Sequence, residues 1–471
     1  MLINQLVTMV LMWITFTIFI IKMQIFEDFT IRFEEPNWSR DLELGLVDSI
    51  LEKHPSIVIS LGSDIYISDS NGIQGRNDTP SIEQIVRAAL YKELKGLTYR
   101  ELDYHQEDSR IAALFIKIDP LRPYSFQVYQ KYISMIKPEK LQEALIKLNK
   151  VAINEGIEDL KRVRQDTTTI ETDIHYPTNN SLIWDCIRKS EDHLMKLSEE
   201  IEGFSYRSYM KGAKKTFFKI NNTSSKDKRT TLFLKQLQTF TKTINQVSNV
   251  VKKKDIFVSI EALVYISQLK ELLPIMEQVY DISYRKEIKG EAVPSSEKIF
   301  SIFEQHTDII VKGSRDIVFG HKVNLTSGKS NLILDCLMER GNPSDSKIYM
   351  PTLDRIIENY DIIPRDSACD GGFASKDNIE RSLKKGLVNV VFNKVVGSMK
   401  NHTSSKNMDT RLKKWRSGIE ANISNLKRGF HIHRCNWKGW VAFQAKVLWS
   451  ILAYNIRVMT NILIGQVKAV N

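Results

Sequence analysis

Residues 41–51 space their apolar side chains three and four apart, the pattern of an amphipathic helix. A stretch rich in Ser, Asn, Gly and Asp (68–80) then reads as a loop or boundary. Ser81 is positioned to cap a helix over 82–94, residues 95–97 make a tight turn, and Thr98 with Glu101 forms a capping box for the next helix. Two helices so closely joined resemble either a helix-turn-helix or a plain structural hairpin. A second helical pair covers about 125–135 and 138–155. The pattern changes at Lys161, where β-branched residues predict a strand, a turn and a second strand, with Asp166 in or at the end of the first. A helix follows near 182–201, and helical periodicity returns at 233–251 and 259–280.

From residue 317 the period shortens again. Residues 317–325, the turn 326–329 and residues 332–338 predict a hairpin. A helix at 350–359, a strand at 361–369, a helix at 376–384 and a strand at 387–392 complete the alternation. This order predicts an α/β fold, a mixed sheet flanked by helices with a ligand site at the strand ends. An N-terminal helical domain precedes it and a helical insertion interrupts it.

At 471 residues the chain has room for two or three domains. Its net charge of +11 favours a polyanionic partner, although lysines coating a solvated surface give the same number. Much of that charge crowds 202–297, where Lys211, Lys214, Lys215, Lys219, Lys226, Lys228 and Arg229 accompany Tyr209, Phe217 and Phe218. Such an edge suits a phosphate backbone or simply a solvated face. The four cysteines lack a C-x-x-C pair and read as reduced thiols. The apolar run 2–21 approaches the length of a membrane span but has no basic flank before it. It reads as upstream sequence before a functional start at Met23, with a membrane anchor as the alternative.

The chemistry concentrates in one late segment, Arg416-Ser-Gly-Ile-Glu420 through Lys427. Steps of four and seven residues place the three charged side chains on one face of an expected single helix. A carboxylate between two cations suits a site that holds a metal ion and a phosphate together. Asp166, and Asp370 before a Gly pair at a strand end, supply further carboxylates. Asp366 competes with Asp370, which is preferred because it stands where the strand ends. His175, His321, His431 and His433 form no evident metal cluster.

With these residues in place, the chain resembles insertion-sequence transposases of the Asp-Asp-Glu (DDE) class, whose catalytic domain is RNase H-like. Asp166 in RQDTTTIETDIHYPT, Asp370 in DSACDGGFAS and Glu420 in RSGIEANISNLKRGFHIHR carry the likeness. SEKIFSIFEQHTDII, FGHKVNL and GNPSDS support it in the same order. The related Tyr-x2-Arg-x3-Glu-x6-Lys signature is met at Arg416, Glu420 and Lys427, while Lys413 stands where the tyrosine belongs. The resemblance implies a DNA-binding helical region at 23–155, a catalytic domain split between 156–201 and 298–471, and an insertion at 202–297. It implies Asp166, Asp370 and Glu420 as catalytic metal ligands for Mg²⁺ or Mn²⁺, two ions in all, and Arg416, Lys427 and Arg428 as DNA contacts. The expected partners are the element's terminal inverted repeats and target DNA, met by a homo-oligomer in the cytoplasm without a membrane anchor. A transposase-derived DNA-binding protein that no longer cuts is the alternative.

Overall fold

The computed structural model describes residues 38–69, 79–253, 259–312, 316–395 and 399–470; the apolar run 2–21, Met23 and most of the 68–80 stretch lie outside them. In the first part, helices α1 (Leu42–Lys53), α2 (Pro55–Asp69), α3 (Ile82–Lys95), α4 (Tyr99–Asp108), α5 (Arg110–Ile116), α6 (Phe126–Met135) and α7 (Pro138–Asn154) follow one another. Ser81 and Thr98 close capping boxes with Gln84 and Glu101, and Gly96 ends α3 in the left-handed region at φ 68°. Residues 85–94 of α3 are all buried, so α4 is the exposed helix of this pair.

The β-branched run after Lys161 forms one eleven-residue strand, β1 (Arg162–Thr172), rather than the expected strand, turn and strand. Its length follows from pairing on both edges, which leaves no place for a turn. The other strands are β2 (Asp308–Lys312), β3 (Asp316–Ser327), β4 (Ile333–Met338), β5 (Asp366–Cys369), β6 (Asn389–Phe392) and β7 (Arg434–Cys435). Their order is β2-β3-β1-β5-β6; β4 joins β3 and β7 joins β1. β3 runs antiparallel to β1, β2 and β4, whereas β5 lies parallel to β1 and β6 parallel to β5. This is a mixed, RNase H-like sheet.

Between β1 and β2 lie α8 (Asn179–Glu200), α9 (Met210–Asn221), α10 (Lys226–Lys252) and α11 (Ile260–Glu287), which pack around Ile187, Phe240 and Leu269. After β4 come α12 (Asp345–Tyr360), α13 (Lys376–Lys384), α14 (Lys406–Arg416), α15 (Gly418–Gly429) and α16 (Trp440–Val470). α12 starts five residues before its expected position, and Asp361 caps it at φ 54°, so β5 is shorter than predicted. Residues 440–466 of α16 are long and apolar enough to cross a membrane, yet 67% of their apolar window is buried. The burial has a cause: Leu44, Leu90, Leu145, Val323 and Leu452 belong to one continuous core, in which α16 ties the N-terminal helices to the sheet.

Candidate active site

Asp166 sits in mid-strand, opposite Leu325 of β3, with β5 held on the other edge of β1 by pairing up to Gln165–Cys369. β5 ends at that pair, so Asp370 emerges beside Asp166 and caps the short turn Gly371–Phe373. The two glycines are needed for close approach. A Cβ on Gly371 would lie 2.9 Å from the Lys394 carbonyl oxygen, and one on Gly372 would lie 2.8 Å from an Asp345 carboxylate oxygen. Asp366 stands at the opposite end of β5, fully buried, bonded to Arg365 and Asn389 and paired with Arg162. Asp366 is thus engaged within the sheet, whereas Asp370 stands on the side of Arg416.

Three carboxylates meet at one guanidinium. Arg416 Nη1 lies 3.4 Å from Asp166 Oδ2 and 3.9 Å from Asp370 Oδ1, while Nη2 donates to Glu420 Oε1 at 2.9 Å. With its amide oxygen turned toward Arg416, Asn393 accepts from Nη2 at 2.9 Å and Nε at 3.3 Å. The Arg416 side chain is only 9% exposed, whereas that of Glu420 is 61% exposed and open to a ligand. Burial pushes the Asp166 carboxyl up from its ordinary 3.8 to about 6. Arg416 and a hydrogen bond from the Thr167 amide oppose this, and the like charges of Asp370 and Glu420 reinforce it.

The expected single helix is divided at Ser417, and the cause is a residue that sequence reasoning missed. Arg164 lies on β1 two positions before Asp166, on the same face. It is 2% exposed and donates to Ser327 Oγ at 2.9 Å, the Trp415 carbonyl at 2.7 Å and Asn331 Oδ1 at 2.5 Å. Its guanidinium also lies 4.8 Å from the centre of the Trp415 ring. With the Trp415 carbonyl engaged from outside, the helical ladder is interrupted and Glu420 N bonds back to Ser417 O at 3.1 Å. A Cβ on Gly418 would sit 2.2 Å from Arg164 Nη1, so glycine is required there. Burial draws Arg164 down to about 10, against the pull of Tyr454 and Glu158. The adjacent Ser417-Gly418 pair was the available sign of a break.

The other expected DNA contacts divide between faces. Lys427 is half-buried on α15, two turns beyond Glu420. Arg428 is exposed and lines a cleft with Asn331, Asn425 and Tyr454. The supporting motifs carry structural bonds. His306 Nδ1 and His321 Nε2 share a hydrogen bond of 2.7 Å, His306 Nε2 meets Glu304 at 2.8 Å, and Glu304 accepts from Gly439 N just before α16. Lys322 of the FGHKVNL motif donates to Pro343 and Asp345 of the GNPSDS loop.

Carboxylate oxygens are the donor type that a hard divalent cation takes. Three hard oxygen ligands from a strand, a strand end and a helix already converge on one positive group, Arg416. In the present arrangement Arg416 stands among them, and among the described residues no trio of His, Cys, Asp or Glu side chains is grouped closely enough to hold an ion. A family model described as a transposase DDE domain matches residues 312–456. The match includes Asp370, Arg416 and Glu420; Asp166 precedes it in sequence and joins them through the sheet. No curated protein and no solved structure matches the chain.

Proposed function

We propose that this chain, which carries a transposase DDE domain, is an insertion-sequence transposase that binds the ends of its element, cuts them and joins the freed 3′ ends to target DNA. The observation that carries the reading is the convergence of Asp166, Asp370 and Glu420 on a single cation, from segments far apart in the sequence. Two divalent ions, Mg²⁺ or Mn²⁺, held by Asp166, Asp370 and Glu420, would activate a water or 3′ hydroxyl and neutralise charge on the phosphate.

The protein's own residues do the rest. Asp166, paired with Leu325 of β3 and next to the last residue paired with β5, gives the central carboxylate the least freedom to move. Asp370 and Glu420 complete the set from the strand end and from α15. Arg416 holds the carboxylates together between reactions, and with Lys427 and Arg428 it offers cations to DNA phosphates beside the scissile bond. The helical region before β1 takes part in recognising the terminal inverted repeats, and the protein works on DNA as a homo-oligomer.

The test is cleavage of the element's own end DNA by the full chain with Mg²⁺ or Mn²⁺, beside a Glu420→Ala control. Metal-dependent cutting at the end, lost in the control while end binding persists, is the expected result. A control that cuts like the parent protein would remove Glu420 from the reaction.

A further inference from the structure

The excess of positive over negative charge in this chain lies in one part of it. Residues 203–254 hold thirteen of the 67 lysines and arginines but only one of the 56 acids, Asp227, leaving 54 against 55 elsewhere. The N-terminal region is no exception: residues 23–155 carry sixteen cations and twenty-one acids. A protein that must hold a polyanion has therefore placed its excess charge in the insertion.

The structure orders that charge. In α9, Ala213, Thr216 and Ile220 face inward, while Lys211, Lys214, Lys215 and Lys219 are exposed. At 3.6 residues per turn, these four share an arc of roughly 140°. Phe218, 52% exposed, lies within that arc. In α10, Phe233, Leu237, Phe240 and Val247 are buried, and Lys228, Lys235 and Lys242 are exposed at seven-residue intervals. That interval repeats one side of the helix about every 10 Å. None of these seven lysines forms an ion pair with a described residue, whereas Lys95, Lys117 and Lys147 in the N-terminal region are all paired. Unpaired cations around an exposed ring suit contact with phosphates, where released counterions drive binding.

We propose that the α9–α10 face of the insertion is the main sequence-independent DNA-holding surface of this protein, gripping the phosphate backbone of duplex DNA. The inference rests on the transposase reading and adds to it a place and a mode of contact. The N-terminal helices and the residues beside Glu420 are then left to choose and cut the site.

The experiment compares three forms of the full chain on a duplex of arbitrary sequence, with fluorescence anisotropy followed across a salt series. One form is the parent protein. The second carries Lys211→Gln, Lys214→Gln, Lys215→Gln and Lys219→Gln. The third makes the same charge change elsewhere, at the exposed Lys53, Lys150, Lys161 and Lys384. Loss of four phosphate contacts lowers the slope of log affinity against log salt by about 3–4. The α9 form is expected to lose that slope with at least tenfold weaker binding at low salt, while the third form stays near the parent. A Lys214→Gln, Lys215→Gln double variant, expected to show about half the change, serves if the fourfold form melts early. Unchanged slope in the α9 form, or equal losses in both fourfold forms, overturns the proposal while leaving the transposase reading intact. Absence of DNA binding by the folded parent protein would overturn both.

Discussion

Replacing Asp166 with asparagine should stabilise the metal-free protein, because the site is built around a carboxylate that the fold penalises. Burial and the neighbouring Asp370 and Glu420 lift this group from 3.8 to about 6 despite Arg416. A difference of that size corresponds to about 3 kcal/mol between its two protonation states. The sign follows from the raised value. The favourable contribution is fully present below about pH 4, where the group is protonated folded or unfolded, and is lost as pH rises through about 6. Asp166→Asn keeps the shape and removes the charge. In chelator, the variant should match the parent near pH 4 and exceed it by about 3 kcal/mol at pH 7.5. For a chain of this length that is a rise in melting temperature of several degrees. Thermal melts across the pH range measure it, and Mg²⁺ should raise the melting temperature of the parent but not of the variant. A variant that melts below the parent at pH 7.5, or a gap that ignores pH, would refute the electrostatic account of the site.

Three further outcomes follow. Mn²⁺ affinity of the parent, measured by calorimetry, should weaken about tenfold between pH 7 and pH 5 as Asp166 takes up its proton. Arg164→Met keeps the apolar stem but abandons Ser327, Trp415 and Asn331; denaturant unfolding should show a loss of about 2–4 kcal/mol, with end cleavage falling further than end binding. Gly418→Ala would gain about 1 kcal/mol from helix propensity in an open helix. Here its Cβ meets Arg164, so melting should instead show a net loss of about 1–3 kcal/mol.

Much of this arrangement was readable from local pattern. Capping residues located α3 and α4, alternation located the β3–β4 hairpin, and the Gly pair after Asp370 marked the end of β5. The misreadings share a cause. β1 is one strand because partners on both edges hold it straight, and those partners come from distant sequence. The Arg416–Lys427 segment is two helices because Arg164, some 250 residues away, takes the carbonyl of Trp415. Periodicity registers which face is apolar, whereas long-range contacts decide where an element bends or ends.

The most direct test of the central claim is a change of metal preference at one carboxylate. In Asp370→Cys a soft sulfur replaces a hard oxygen, which disfavours Mg²⁺ far more than Mn²⁺. On the element's end DNA, the variant is predicted to lose cleavage with Mg²⁺ and regain a measurable part with Mn²⁺, with end binding unchanged throughout. Cleavage by Asp370→Cys in Mg²⁺ at the rate of the parent protein would contradict the assignment of Asp370, and with it the three-carboxylate site.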